Sequence, residues 1–181
     1  DIIMPGYEHT VMATLDGPDS NIITCTAPSK TFNLAAMQTS NIIIPNEKDR
    51  ERFRAIAGFG GPPALGLEAC RIAYTQCEEW VEEMVKTIDS NRKLAVDFIT
   101  ERLPEIKPVE LQGTYLLWLD CTALGKSKEE LETLMIEKAE LFLDEGYLFG
   151  EEGAGFERVN LAVPEHVLKA ALERLEGAVR C

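Results

Sequence analysis

The chain has 181 residues and a net charge of −13, which argues against nucleic acid and anionic membrane as partners, because both are polyanions. With 45% hydrophobic and 27% charged residues it has the composition of a folded globular protein and not of a disordered one. Its cysteines are odd in number, 5, and scattered with no Cys-x-x-Cys pair, which excludes a disulfide scaffold or zinc site and points to a reduced, cytoplasmic protein.

The first residues, Asp1-Ile2-Ile3-Met4-Pro5, lack the charged region and small-residue cleavage site of a signal peptide, and they read as cut from something longer. Pro5-Gly6 and Asp16-Gly17-Pro18-Asp19 are turn signals around a short apolar piece. His9 has no second histidine nearby, so it reads as a loop or helix-end residue and not as a metal ligand. Residues 21–27 alternate as a half-buried strand does, and Pro28 ends it. Lys30 follows in a small polar turn, where the end of a core strand is expected to shield it in part. Residues 41–44, Asn-Ile-Ile-Ile closed by Pro45, read as a strand buried on both faces.

Asn46 is a good N-cap for a helix over 47–57, with acid early and base late. Pro63 opens a helix from Ala64 to about Tyr74. Thr75 and Glu78 have capping-box spacing, so a new helix is expected there, carrying Trp80, Met84, Ile88, Ala95, Phe98 and Ile99 until Leu103 and Pro104. At ~1.5 Å per residue it reaches on the order of 40 Å, long for one small core, so it is expected to bridge two packing units. No apolar run approaches a membrane span; residues 115–119 are far too few.

The remainder reads as a compact α+β unit. Strands are expected over 109–111 and 114–120, around Gln112-Gly113. Ser127 and Glu130 form a second capping-box match, before a helix with Leu131, Leu134, Met135, Ala139 and Phe142 on one face, ended by Gly146. Residues 147–149 and 158–163 read as short strands across a glycine-rich loop. Pro164 starts a last helix carrying Val167, Leu168, Ala171, Leu172 and Leu175. Gly150-x-x-Gly153-x-Gly155 follows a strand without opening a helix, so it is a turn and not a dinucleotide fingerprint.

Two residue types carry chemistry. A lysine amine can attack an aldehyde when neutral, and partial burial favours that form. By spacing alone, Lys30 is either that group or an ordinary loop lysine. Arg158 offers a guanidinium fork that matches a carboxylate, but in this acidic chain spacing alone favours an exposed strand-end arginine paired with an acidic neighbour.

Residues 27–38, Ala-Pro-Ser-Lys-Thr-Phe-Asn-Leu-Ala-Ala-Met-Gln, resemble the cofactor-lysine motif of class I/II aminotransferases, the pyridoxal-phosphate enzymes of fold type I. The nearest branch is that of cystathionine β-lyase and related C–S lyases. The resemblance continues through Ile3-Met4-Pro5-Gly6-Tyr7-Glu8-His9, Gly113-Thr-Tyr-Leu-Leu-Trp-Leu-Asp120 and Phe156-Glu-Arg-Val-Asn-Leu-Ala162, and it covers only the C-terminal half of that family. It implies an α/β fold: the C-terminal part of a large cofactor-binding domain over 1–85, a mixed-sheet remnant plus helices, then a small α+β domain over 86–181.

The same resemblance implies pyridoxal 5′-phosphate as cofactor. Lys30 would hold it as an internal aldimine and then move the substrate's Cα proton. Ser29 and Gln38 would contact its phosphate, and Arg158 would bind the carboxylate of a small amino-acid substrate. Three positions depart from the pattern: Ala27 stands where serine is common, Ala36 where glycine is usual, and Gln38 where many relatives have arginine. Glutamine is frequent there in the C–S lyase branch. The family's pyridine-facing aspartate, ring-stacking aromatic and glycine-rich phosphate turn lie upstream of residue 1, and Asp1 does not align with that aspartate. The implied activity is β-elimination or transamination in a cytoplasmic homodimer, with no metal. The alternative is a catalytically incompetent C-terminal structural or dimerisation fragment.

Overall fold

Helix signals in this chain are short-range, and the computed structural model forms helices where those signals lie. It describes residues 1–15, 21–58 and 60–180. The turn signal at Asp16–Asp19 and residues Phe59 and Cys181 lie outside them. Helix α1 is Glu47–Ala57, and the Asn46 side chain accepts the Asp49 N–H at 3.2 Å. Helix α2, Ala64–Gln76, follows Pro63, and α3 runs 25 residues, Glu78–Arg102. The expected box between Thr75 and Glu78 does not form. The Thr75 hydroxyl donates instead to the Arg71 carbonyl one turn back, at 2.7 Å, and Cys77 alone separates α2 from α3.

The chain divides into two compact units, one of Asp1 with Glu8–Glu83, the other of Ile2–Tyr7 with Met84–Cys181. In the first, β1 (Thr24–Thr26) pairs antiparallel with β2 (Asn41–Ile43), Thr24 opposite Ile43. Both expectations for these strands are corrected. The first strand is three residues and mostly exposed, and in the second Ile42 and Ile43 are 45% and 53% exposed while only Ile44 is buried. Apolar periodicity marks which side chains seek cover, but a two-stranded sheet supplies no layer to cover them.

The second unit is built on a four-stranded antiparallel sheet in the order β3-β4-β6-β5: β3 Lys107–Pro108, β4 Leu116–Asp120, β5 Asp144–Glu145 and β6 Phe156–Asn160. Leu117 and Leu119 of β4 meet Ile99 and Leu103, Met135 and Leu168 in its core. Residues 2–4 join it through an Ile3–Gly113 bridge and a Met4 N–H to the Gln112 carbonyl, which buries Met4. The strand expected over 109–111 falls earlier, at Lys107–Pro108, although Val109 N–H still bonds the Trp118 carbonyl at 2.8 Å.

Helix α4 is Lys128–Thr133, with both bonds of its capping box: Ser127 Oγ accepts the Glu130 N–H, and the Glu130 carboxylate accepts the Ser127 N–H. It continues as a π turn, Leu134–Lys138, that ends at Ala139 and not at Gly146. Phe142 therefore lies three residues past the helix end, off the expected apolar face, and is 91% exposed. Residues 147–149 form no strand. They lie in a 3-10 turn, Gly146–Phe149, and Asp144–Glu145 makes the sheet edge. A side chain at Gly146 would meet the Gly153 carbonyl at 2.2 Å, so this close crossing requires glycine. Helix α5, Glu165–Arg180, buries Leu168, Leu172 and Leu175 and leaves Val167 outside. Among the described residues no helix is long and apolar enough to cross a membrane.

Candidate functional site

Lys30 sits on a hydrogen-bonded turn. Phe32 N–H reaches the Pro28 carbonyl at 3.0 Å and Leu34 N–H the Ser29 carbonyl at 3.1 Å, and a 3-10 turn, Ala35–Met37, comes next. Asn33 and Gln38 take left-handed backbone angles, φ 53° and 48°, at which a side chain is uncommon and must be held by its surroundings. Those surroundings are visible on both sides. Thr31 is buried and its hydroxyl donates to Asp1 Oδ2 at 2.8 Å. Phe32 lies edge-on to Tyr74, ring centres 5.2 Å apart, and stacks on Trp80 at 6.1 Å.

Within this pinned turn Pro28 is buried, Ser29 half-buried, and Lys30 exposed. The shielding expected for Lys30 is therefore absent, because the strand before it is a surface pair and not a core strand. Among the described residues its amine has no hydrogen-bond or ion-pair partner. Gln38 and Ala36 are exposed on the same loop. Thr39 behind them is buried, and a methyl on Gly66 of α2 would meet its hydroxyl at 2.3 Å and the Met37 carbonyl at 2.5 Å, so helix and loop touch at the backbone.

Arg158 belongs to the second unit, in the middle of β6, opposite Trp118 on β4 and Asp144 on β5. Its Nε and Nη2 both donate to Asp144 Oδ2, at 3.1 and 2.8 Å, and its guanidinium carbon lies 4.3 Å from the centre of the Phe149 ring. Of the two alternatives open for this arginine, the fold thus contains the pairing with an acidic neighbour. Its other N–H groups have no acceptor among the described residues.

The neighbouring position behaves differently because strand side chains alternate between faces. Glu157 pairs with Leu119 and Glu145 on the core side and is 1% exposed, with Oε2 lacking any hydrogen-bond partner. Burial, then the Glu145, Glu132 and Asp144 charges, push its carboxyl up to about 7. Burial and the same Glu157 push the Cys121 thiol up to about 12, which keeps it protonated and unreactive. Just beyond β6, buried Asn91 of α3 donates to the Leu161 and Val163 carbonyls, each at 2.8 Å. Sequence reasoning missed Glu157 and Asn91. Acids in β-register positions were the only signal for the first, and nothing in the pattern marked the second.

Against known proteins, the pattern of the family described as aminotransferase class I and II matches residues 4–175. The chain belongs to that family. It is 36% identical to cystathionine beta-lyase PatB of Bacillus subtilis, over 99% of this chain and 47% of that protein. The crystal structure of cystalysin from Treponema denticola, which contains pyridoxal 5′-phosphate, superposes with a TM-score of 0.93 at 48% identity, covering 99% of this chain and 46% of that one. A PLP-bound C–S lyase from Staphylococcus hominis superposes at 0.89 with 30% identity, over 98% of this chain and 47% of its own. The chain therefore spans about half the length of the relatives it matches. In fold class it is α/β, the C-terminal part of the fold-type-I aminotransferase architecture.

The family is dependent on pyridoxal phosphate, and the residues present fit that group. An aldehyde needs an accessible, unpaired amine, and Lys30 has one. A phosphate needs hydrogen-bond donors, and the loop that carries Lys30 offers the Ser29 hydroxyl and, after the 3-10 turn Ala35–Met37, the Gln38 amide.

Proposed function

We propose that this chain supplies the lysine and arginine of a pyridoxal-phosphate enzyme acting on amino acids, with β-elimination at a C–S bond favoured over transamination. The observation that carries the reading is Lys30, an unpaired amine on a turn held by the contacts of the two residues after it, Thr31 with Asp1 and Phe32 with Tyr74 and Trp80. The high identity to cystalysin and to PatB favours the lyase branch. When bound, the cofactor supplies an aldehyde for an amine and an electron sink for a breaking Cα–H bond.

The chain's own residues do the rest. The Lys30 amine, once neutral, takes the proton from the substrate Cα, and its ammonium form then supplies a proton to the sulfur that leaves Cβ. Ser29 and Gln38 donate hydrogen bonds to phosphate oxygens, Gln38 without the charge that an arginine would add. Arg158 receives the substrate carboxylate, whose planar pair of oxygens matches its fork. In this reading residues 1–85 are part of the large domain and 86–181 the small one, and the whole protein is a cytoplasmic homodimer.

A second reading is that these 181 residues alone are a structural or dimerisation piece without turnover. The apolar exposure of Ile42, Ile43 and Leu65, at 45%, 53% and 77%, favours it for the isolated chain. The two are separated by titrating this chain with pyridoxal phosphate, trapping with borohydride and mapping the labelled peptide. Label at Lys30 supports a preformed lysine site. No label, where the full-length protein is labelled there, supports the structural piece. Lys30→Ala in the full-length protein is expected to abolish turnover, and retained turnover overturns the assignment.

A further inference from the structure

The Arg158 fork is held by its strand neighbours on one face of the sheet. Asp144 stands directly opposite it on β5 and Trp118 directly opposite on β4. Trp118 meets Phe149 edge-on, ring centres 5.3 Å apart and 71° between planes, and Phe149 in turn underlies the guanidinium. Asp144 uses a single oxygen, Oδ2, to take both Nε and Nη2. That occupies the side edge of the guanidinium and leaves the end edge, Nη1 with the second Nη2 hydrogen, without an acceptor among the described residues. The end edge is one of the two that accept a carboxylate in bidentate fashion. Asp144 and Arg158 also border a groove of about 410 Å³, together with Asn160, Val163 and Arg174.

We propose that Asp144 is a positioning residue for Arg158: by pinning the side edge over Phe149 it turns the end edge toward an incoming carboxylate. This rests on the reading of Arg158 as the carboxylate-binding residue. A role in stability accounts poorly for the pair. The Asp144 side chain is 50% exposed, and ion pairs so exposed contribute little to folding. What the contact does supply is restraint of a side chain that otherwise samples many rotamers, so less freedom is lost when a ligand binds.

The test compares L-alanine with L-alaninamide, which lacks the carboxylate, binding to the full-length protein loaded with pyridoxal phosphate and read by the cofactor's absorbance. Asp144→Ala is expected to weaken L-alanine about tenfold, the size of one well-placed hydrogen-bonded contact, and to leave L-alaninamide unchanged. Asp144→Asn keeps an acceptor and is expected to stay within about twofold of the parent. Equal losses for both ligands, no loss, or tighter L-alanine binding in Asp144→Ala overturns the proposal. Arg158→Lys separates the layers. If it weakens L-alanine while Asp144→Ala does not, only the positioning role fails. If it leaves L-alanine binding intact, the reading of Arg158 itself fails, and the proposal with it.

Discussion

Glu145 and Glu157 face each other across the β5–β6 pair, both buried, at 8% and 1% exposure. Burial strips the Glu157 carboxylate of solvation and the Glu145 charge opposite repels it, so the fold favours a proton on Glu157, whose carboxyl is raised from 4.5 to about 7. Between those values the folded chain holds a proton that the unfolded chain has released. Stability from this group is therefore complete below about pH 4.5, declines as pH rises, and is gone above about 7. At ~1.4 kcal/mol per unit the loss is on the order of 3 kcal/mol. Urea unfolding at intervals from pH 5 to 8 should show Glu157→Gln gaining on the parent as pH rises. A constant difference between the two would show that Glu157 ionises normally.

Gly66 is the close contact between α2 and the loop after Lys30. Gly66→Ala is expected to cost ~2 kcal/mol, since the 2.3 and 2.5 Å approaches involve a buried side chain and a carbonyl. Amide exchange should quicken in residues 31–40. Gly177→Ala is the control. Nothing lies within 4 Å of its added methyl, and alanine in a helix gains ~0.5–1 kcal/mol over glycine. Equal effects at the two sites would contradict the packing of α2 on that loop.

Asn91→Leu removes both donors to the Leu161 and Val163 carbonyls at 2.8 Å and leaves the first oxygen short of a partner in the core and the second at its edge. The expected cost is ~2–4 kcal/mol, read as a lower urea midpoint. A change under ~0.5 kcal/mol would mean that these carbonyls find other donors.

Ser127→Ala should cost ~1 kcal/mol, because the N-terminal amides of α4 lose an acceptor. Glu130→Ala should be less than additive with it, since each residue bonds the other's backbone. Full additivity in the double variant would indicate two independent effects.

Local features of this protein are written in short windows of its sequence. The caps at Asn46 and Ser127 were legible because donor and acceptor are three residues apart, and the stop of α3 before Pro104 because proline ends a helix by its own geometry. The family motif around Lys30 was legible too, as a contiguous run. What each side chain meets was settled only by the folded arrangement. Ile42 and Phe142 are apolar by sequence and exposed by neighbourhood, while Glu157 is acidic by sequence and buried because β6 pairs with β4 in a register that aims it at the core. Lys30 stands exposed, Thr31 beside it reaches Asp1, and Arg158 meets Asp144 for the same reason. A pattern fixes what a residue is, but burial and pairing are set by chain segments far away in sequence, whose approach no short window contains.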